Sequence, residues 1–409
     1  MAETRRWTIL AVGVFAQAAT CSFLYGMPML LPALRHSAGL SLFQASLLAS
    51  APVTGLLLTL IVWGALADRY GERVVIVSGV GAAAVLLAIA ALVHSIPLIA
   101  VLLALAGAAA ASVNAASGRV VMGWFPVNER GLAMGVRQTA QPLGVAIAAA
   151  VLPALGAHVG PRHALLFPAA LCGLAAVLVL TLVVDPPRPA RAEGAPEPTS
   201  PYRDSTTLAR VHAASSLLVV PQFAVATFTL TYLVGVRHWD AAVAGRWIFG
   251  FQLAGALGRV VTGVWSDRVR SRLRPMRQLA VVSAALMGAL AIGAVTDSGW
   301  IVVVFAVGAV VTVADNGLAY TAVAELAGTS WSGRALGVHN TSQNIASLTT
   351  APILAAIIGD SNYGWAFALT ALCPLLAVPL TPVRRERLHS SEGRPPSGDR
   401  PSPEELLTP

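Results

Sequence analysis

The chain has no lysine, so all 27 of its basic residues are arginine, and charged residues of both signs fill only 11% of its 409 positions. A soluble domain carries roughly 25%. With 56% apolar residues, the deficit excludes an ordinary water-soluble domain. Cysteine is scarce as well. Cys21, Cys172 and Cys373 all fall inside apolar runs and read as packing residues rather than disulfides, and no Cys/His group has zinc spacing. No phosphate-cradling loop, nucleophile elbow or metal motif is present, so neither an enzyme nor a cofactor nor a bound metal is expected. The formal charge of +8 could suggest nucleic acid. The arginines gather in alternate loops instead, and no nucleic-acid partner is expected.

What the chain does have is long runs without charge. About 20 helical residues, at ~1.5 Å each, cross a ~30 Å hydrocarbon layer. Backbone groups in lipid must be satisfied within their own segment, so such runs are helices. Twelve are expected, at approximately 8–34, 42–66, 74–94, 97–124, 131–156, 163–184, 207–235, 241–265, 277–297, 299–326, 332–358 and 363–382; we call them spans 1 to 12. The fold class is therefore all-α and membrane-embedded, with a six-span bundle over 1–184, a proline-rich charged linker over 185–206, a second bundle over 207–383 and a disordered tail over 384–409. Span 1 is long and lacks a small-residue cleavage site, so it reads as a retained helix rather than a signal peptide. Arginine bias in the short loops puts both termini on the cytoplasmic side. Heavy alanine and arginine use without lysine suits a GC-rich bacterial genome, so the expected location is a bacterial plasma membrane.

The halves repeat. "GVRQTAQ" at Gly135 to Gln141 returns 202 positions later as "GVHNTSQ" at Gly337 to Gln343, and Asn114 returns as Asn316. "GALADRYGER" at Gly64 to Arg73 returns as "GVWSDRVRSR" at Gly263 to Arg272. Two similar bundles of six imply a central cavity between them, lined by corresponding spans.

Gly64, Asp68, Arg69, Gly71 and Arg73 resemble the loop 2–3 signature of the major facilitator superfamily, and Asp267, Arg268 and Arg272 resemble its weaker second copy. The resemblance covers the whole chain. It implies alternating access by rocking of two bundles, and it leaves the cargo open. It also makes these residues a conformational latch. Asp68 can meet the positive N-terminal end of a helix from the other half, while Arg69 and Arg73 can pair with acids such as Glu129. Span 5 keeps only Pro142 and Gly144 of the glycine-proline motif of drug exporters, and span 4 has Leu103 where many members keep arginine.

Ionised residues inside the bilayer cost ~2.5–3.5 kcal/mol on insertion scales and persist where they face water or a partner. Arg137 lies seven residues beyond Arg130, about 10 Å deep. Gln138 adjoins it, and Gln141 is one turn further on its face. His339, Asn340 and Gln343 repeat the arrangement in span 11. Arg259 lies eight residues from Asp267 in span 8, roughly 12 Å deep. Its pattern is similar to the substrate-facing arginine of bacterial oxalate and monocarboxylate carriers. Arg119 sits at a similar depth in span 4. The one well-buried acid expected is Asp315, so positive charge is in surplus.

A guanidinium holds a carboxylate through two hydrogen bonds and stays charged at cellular pH. The expected function is therefore transport of small organic anions, carboxylates foremost, by proton symport or anion exchange. Arg137 and Arg259 would clamp the anion. Gln138, Gln141, His339, Asn340, Gln343 and Tyr25 would be neutral neighbours, and Asp315 or His339 would carry a coupling proton. The expected partners are that anion, protons and the bilayer, with the chain acting as a monomer. The competing readings are a proton-coupled exporter of drugs or amphipathic metabolites, and a non-transporting receptor on the same fold.

Overall fold

The computed structural model describes residues 2–30, 33–34, 42–186, 200–359, 362–384 and 386. Most of the expected linker, 187–199, and nearly all of the tail lie outside the described residues. Where the linker re-enters, Pro201–Asp204 forms a short helix.

Every regular element among the described residues is helical. Span 1 is Ala2–Leu24, and spans 2, 3 and 4 are Leu42–Tyr70, Glu72–Leu92 and Ile96–Trp124. Spans 6, 7, 8 and 9 are Leu166–Leu182, Thr207–Gly235, Ala241–Val269 and Leu273–Val295, and span 12 is Tyr363–Leu380. Spans 10 and 11 run together through Asn316–Ile358 and part only at Gly328, whose φ of 70° turns the chain in one residue. Glycine takes that dihedral without a β-carbon clash.

Eleven described helices are long and apolar enough to cross a membrane. The one that falls short is span 11, and the reason is composition. His339 to Asn344 is an unbroken polar run in its middle.

Two spans are interrupted. Span 5 is Arg130–Arg137 followed by Ala140–His158. Span 10 is Ile301–Val311 followed by a segment starting at Asn316. At both breaks the backbone tightens, with Thr139 N–H bonding the Val136 carbonyl at 3.1 Å and Ala314 N–H the Val311 carbonyl at 3.2 Å. These are three-residue closures of the 3-10 kind.

The first bundle is built on spans 2, 3 and 4, with span 6 against span 3 and span 1 against the outer part of span 5; the second is built on spans 7, 9, 11 and 12. Large apolar side chains such as Leu58 and Leu257, 78% and 66% exposed, face outward. In a soluble protein such a surface would aggregate. Here it suits lipid.

The bundles meet at the end that carries the termini, and they meet with pseudo-twofold symmetry. Asp68 accepts from the backbone N–H groups of Gly333 (2.9 Å) and Arg334 (3.0 Å) at the entry to span 11. Asp267 accepts from those of Gly131 (3.0 Å) and Leu132 (2.9 Å) at the entry to span 5. Each carboxylate thus caps the positive end of a helix from the opposite bundle, as expected for Asp68. Gly64 and Gly263 let this happen: a β-carbon on either would strike the carbonyl of Gly333 or Gly131.

The arginine partners differ from expectation. Glu129 pairs with Arg6 at 2.8 Å rather than with Arg69 or Arg73. Arg69 lies over the Tyr70 ring, and Arg73 turns to the start of the linker, its backbone N–H on Asp185 (2.7 Å) and its guanidinium on the Leu180 carbonyl. Gly71, with φ 99°, makes the corner between spans 2 and 3. Arg268 is exposed, and Arg272 does the pairing instead, with Asp267 at 2.5 Å and Glu325 at 3.3 Å. Arg119 is no part of a surplus: it bonds Asp68 and, at 2.6 Å, Glu72. The Arg69 and Arg73 guanidiniums thus settle on a ring and a backbone carbonyl, which spacing along the chain does not encode.

Arg119 is 8% exposed and Glu72 1%. Arg119→Gln strips a shared cation from two buried carboxylates. Breaking such a pair costs about 3–5 kcal/mol. A markedly lower unfolding temperature in detergent is expected, partly restored by adding Glu72→Gln; an unchanged midpoint would remove the triad from the account of stability.

Candidate functional site

Between the bundles lies a cavity of about 60 Å³, room for a few waters. Its lining is dominated by amides: Gln17, Asn114, Gln138 and Gln141 from the first bundle, and Gln222, Asn316, Asn340, Gln343 and Asn344 from the second, with Tyr25 and Tyr320. Five expected residues, Tyr25, Gln138, Gln141, Asn340 and Gln343, therefore share one wall-to-wall space. Tyr25 reaches across it to Asn344 at 3.5 Å.

The two deep arginines lie one layer beneath. Arg137 is 1% exposed and Arg259 7%. Arg137 donates to Ser117 Oγ (2.8 Å), the Asn114 carbonyl (3.1 Å) and Gln138 Oε1 (3.2 Å), and its guanidinium sits 5.2 Å over the Tyr320 ring. Arg259, from the other bundle, donates to the Gln138 carbonyl (3.0 Å) and the Val313 carbonyl (3.3 Å). Both therefore converge on Gln138.

The interruptions explain how. In an unbroken helix the Gln138 carbonyl would take the N–H of residue 142, but that residue is Pro142, which has none. The freed carbonyl is the one Arg259 holds. The break in span 10 likewise turns the Val313 carbonyl to Arg259 and the Ala314 carbonyl to Thr262 Oγ1 (2.7 Å). Irregular backbone at membrane depth is tolerated where protein groups satisfy it.

No carboxylate oxygen lies within 4.0 Å of either guanidinium among the described residues. Asp315 attracts Arg259 from beyond that distance. It is 3% exposed, and its Oδ2 has no hydrogen-bond partner. Asp315 ends the break in span 10, so the orphaned oxygen and the arginine share one irregular stretch.

His339 is set behind the cavity wall rather than on it. It is fully buried, with Nδ1 3.0 Å from His212 Nδ1, Nε2 3.5 Å from Ser215 Oγ, and its ring edge-on to Tyr320 at 4.7 Å. The expected face shared by residues 339 and 343 holds, since Gln343 donates to the same Ser215 at 2.7 Å. One turn of helix separates lining from backing.

Sequence reasoning missed the outer pair of amide bridges. Gln17 donates to Asn114 Oδ1 at 3.3 Å, and Asn316 donates to Gln222 Oε1 at 3.0 Å, on opposite walls at equivalent places in the two halves. Lone glutamines in apolar runs, "FAQAA" and "VPQFA", were the available signal. His212 was missed too, although it stands alone in the start of span 7.

Known proteins agree with this frame. An uncharacterized MFS-type transporter of Mycobacterium tuberculosis, Rv2994, is 46% identical over 380 residues, covering 93% of this chain and 85% of its own. The probable galactarate/D-glucarate transporter GudP of Bacillus subtilis is 26% identical over 317 residues, covering 68% of this chain and 69% of its own. The E. coli fucose:proton symporter FucP superposes with a TM-score of 0.72 at 17% identity, over 93% of this chain and 98% of that one. A family model described as Major Facilitator Superfamily matches residues 10–351. The twelve spans seen among the described residues, in two repeated bundles capped across their interface by Asp68 and Asp267, are thus those of a multi-pass membrane transporter, and the chain belongs to the Major Facilitator Superfamily.

Proposed function

We propose that the chain carries small hydroxylated organic anions, carboxylates above all, by alternating access with both termini in the cytoplasm. One observation carries this reading: two buried guanidiniums, one from each bundle, converge on Gln138 beneath the cavity with no carboxylate of the described residues in contact. Buried charge without a partner is costly, and an anion that supplies one favours closure around itself. The amide walls suit hydroxyls, because each amide both donates and accepts. GudP, a relative named for galactarate and D-glucarate transport, points to the same chemistry.

Within this reading Gln138 and Tyr320 are the movable layer. When the bundles part, Arg137 and Arg259 gain access to the cavity and clamp the carboxylate, with Gln141, Asn340, Gln343 and Tyr25 on its hydroxyls. Asp315 competes with the anion for Arg259, so a proton on Asp315 frees the arginine. That makes proton symport the favoured coupling and anion exchange the variant in which a second anion displaces the first. The latch of Gly64, Asp68, Gly71, Asp267 and Arg272 is closed at the cytoplasmic end, while the segment Ala140–His158 packs chiefly on span 1 of its own bundle.

Purified protein in liposomes, given a panel of labelled carboxylates led by D-glucarate, tests this. Saturable uptake is expected, stimulated when the outside is made more acidic than the inside and competed by other hydroxylated acids. Resistance to unrelated lipophilic compounds in cells, with no carboxylate taken up in liposomes, would favour the exporter instead.

A further inference from the structure

Behind Gln343, a chain of hydrogen bonds runs through the second bundle to the short helix Pro201–Asp204, and neither the clamp nor the latch uses its four residues. It starts at the cavity wall, where Gln343 Nε2 donates to Ser215 Oγ at 2.7 Å. Ser215 Oγ lies 3.5 Å from His339 Nε2, His339 Nδ1 lies 3.0 Å from His212 Nδ1, and His212 Nε2 lies 2.9 Å from the Tyr202 hydroxyl. Ser215 and His339 have no exposure and His212 has 7%, whereas Tyr202 is half-buried on the short helix Pro201–Asp204 at the terminus-bearing end.

We propose that Ser215, His339, His212 and Tyr202 form a proton relay from the back of the cavity wall to the cytoplasmic face; it rests on the proton-coupled reading above. Two hydrogen-bond arrangements satisfy the same four residues. In one, Tyr202 O–H donates to His212 Nε2, His212 Nδ1–H to His339 Nδ1, and His339 Nε2–H to Ser215 Oγ. In the other, every donor and acceptor is exchanged. An imidazole carries one N–H and one lone pair, so both are complete.

Passage of one proton converts the second arrangement into the first. Gln343 covers Ser215 from the cavity; when it swings away, a proton from cavity water bonds to Ser215 Oγ as the serine's own proton moves to His339 Nε2. The Nδ1 proton of His339 moves to His212 Nδ1, the Nε2 proton of His212 moves to Tyr202, and the tyrosine's original proton leaves to solvent. One proton enters, one leaves, and no residue keeps a charge. Both rings end in the other tautomer, so the chain resets by ring rotation or by a proton moving back before it conducts again. That limits traffic to one proton per reset and opposes a free leak.

The surroundings suit passage rather than storage. The groups facing the pair are Tyr320, edge-on to His339, with Arg137 beyond its ring, and Tyr202, which stacks on His212 and meets Trp331. Among the described residues no carboxylate bonds either imidazole. A histidine held in an ion pair would keep its proton. These two are held by neutral partners.

Two measurements test the relay. In 15N-histidine-labelled protein in nanodiscs, the two Nδ1 atoms are expected to show coupling across their hydrogen bond and both rings to exchange tautomers while neutral. Tyr202→Phe should shift the tautomer balance. Rings fixed in one tautomer throughout, in both proteins, would overturn the proposal whatever the cargo. In liposomes holding a pH dye, with D-glucarate as the probe, His212→Asn and Tyr202→Phe should each cut the accompanying proton entry at least tenfold. Exchange of D-glucarate for D-glucarate should stay within twofold of wild type. Undiminished proton entry in both variants overturns the relay, and so does loss of exchange in step with proton entry, since that makes the histidines a strut. If wild type does not carry D-glucarate, the cargo reading fails and the spectroscopic result decides the relay.

Discussion

Arg137→Gln and Arg259→Gln are each expected to lower D-glucarate uptake by about 30-fold to 3,000-fold, with the protein folded and inserted. The magnitude follows from truncating one partner of a buried, hydrogen-bonded charge pair, about 2–5 kcal/mol, at 1.4 kcal/mol per tenfold. The lysine variants separate charge from shape. Lysine keeps the positive charge but loses the planar fork, so Arg259→Lys should retain weak uptake with a raised half-saturation concentration, whereas Arg259→Gln should lose turnover as well. Arg137→Lys should fare worse, because the wild-type side chain uses Nε on Ser117, Nη1 on Gln138 and Nη2 on the Asn114 carbonyl. Uptake undiminished in both glutamine variants would end the clamp reading.

The latch carries the second large effect. Asp68→Asn leaves one acceptor where the backbone N–H groups of Gly333 and Arg334 each had a carboxylate oxygen, and it turns an NH2 toward them. Asp267→Asn does the same to Gly131 and Leu132. Hydrogen bonds to a charged group contribute ~1.5–3 kcal/mol each, so each replacement should shift the closed population by one to two orders of magnitude, and the pair by more. Spin labels at Val159 and Trp300, exposed sites in the two bundles away from the termini, report the change once Cys21, Cys172 and Cys373 are replaced. A single distance distribution unaltered by the double variant would show that the carboxylates anchor loops without biasing the equilibrium. The comparison with Arg119→Gln matters here, since Arg119 also bonds Asp68 and a loss of folding must be told from a loss of closure.

The architecture was legible because a bilayer constrains sequence so tightly. Charge-free runs gave the spans, and repeated letters gave the two bundles. The capping role of Asp68 came from the resemblance carried by Gly64 to Arg73, and the backbone N–H groups of Gly333 and Arg334 are the helix end it meets. The pairing of the arginines was not legible. Arg69 settles on the Tyr70 ring, the Arg73 guanidinium on a backbone carbonyl and Arg119 on two acids, and spacing along the chain does not say which partner each finds. His339 was placed on the correct face but at the wrong layer, because a 3.6-residue period specifies direction around the axis and not which neighbour stands in front. The interruptions in spans 5 and 10 left no mark in hydropathy. Pro142 was the one letter that foretold the first, by withholding the N–H that the Gln138 carbonyl needed.

Those interruptions lie side by side. Gly135, just before the first, and Gly317, just after the second, approach so closely that a β-carbon on Gly317 would rest 3.5 Å from the Gly135 backbone. The two spans therefore share a joint at one level, where the bundles touch. Below it the short rod Arg130–Arg137 is pinned to span 8; above it the rod Ala140–His158 belongs to span 1. The upper rod can tilt as a gate while the lower one stays seated, so access to the central space can change by bending at this level before the bundles swing as whole bodies.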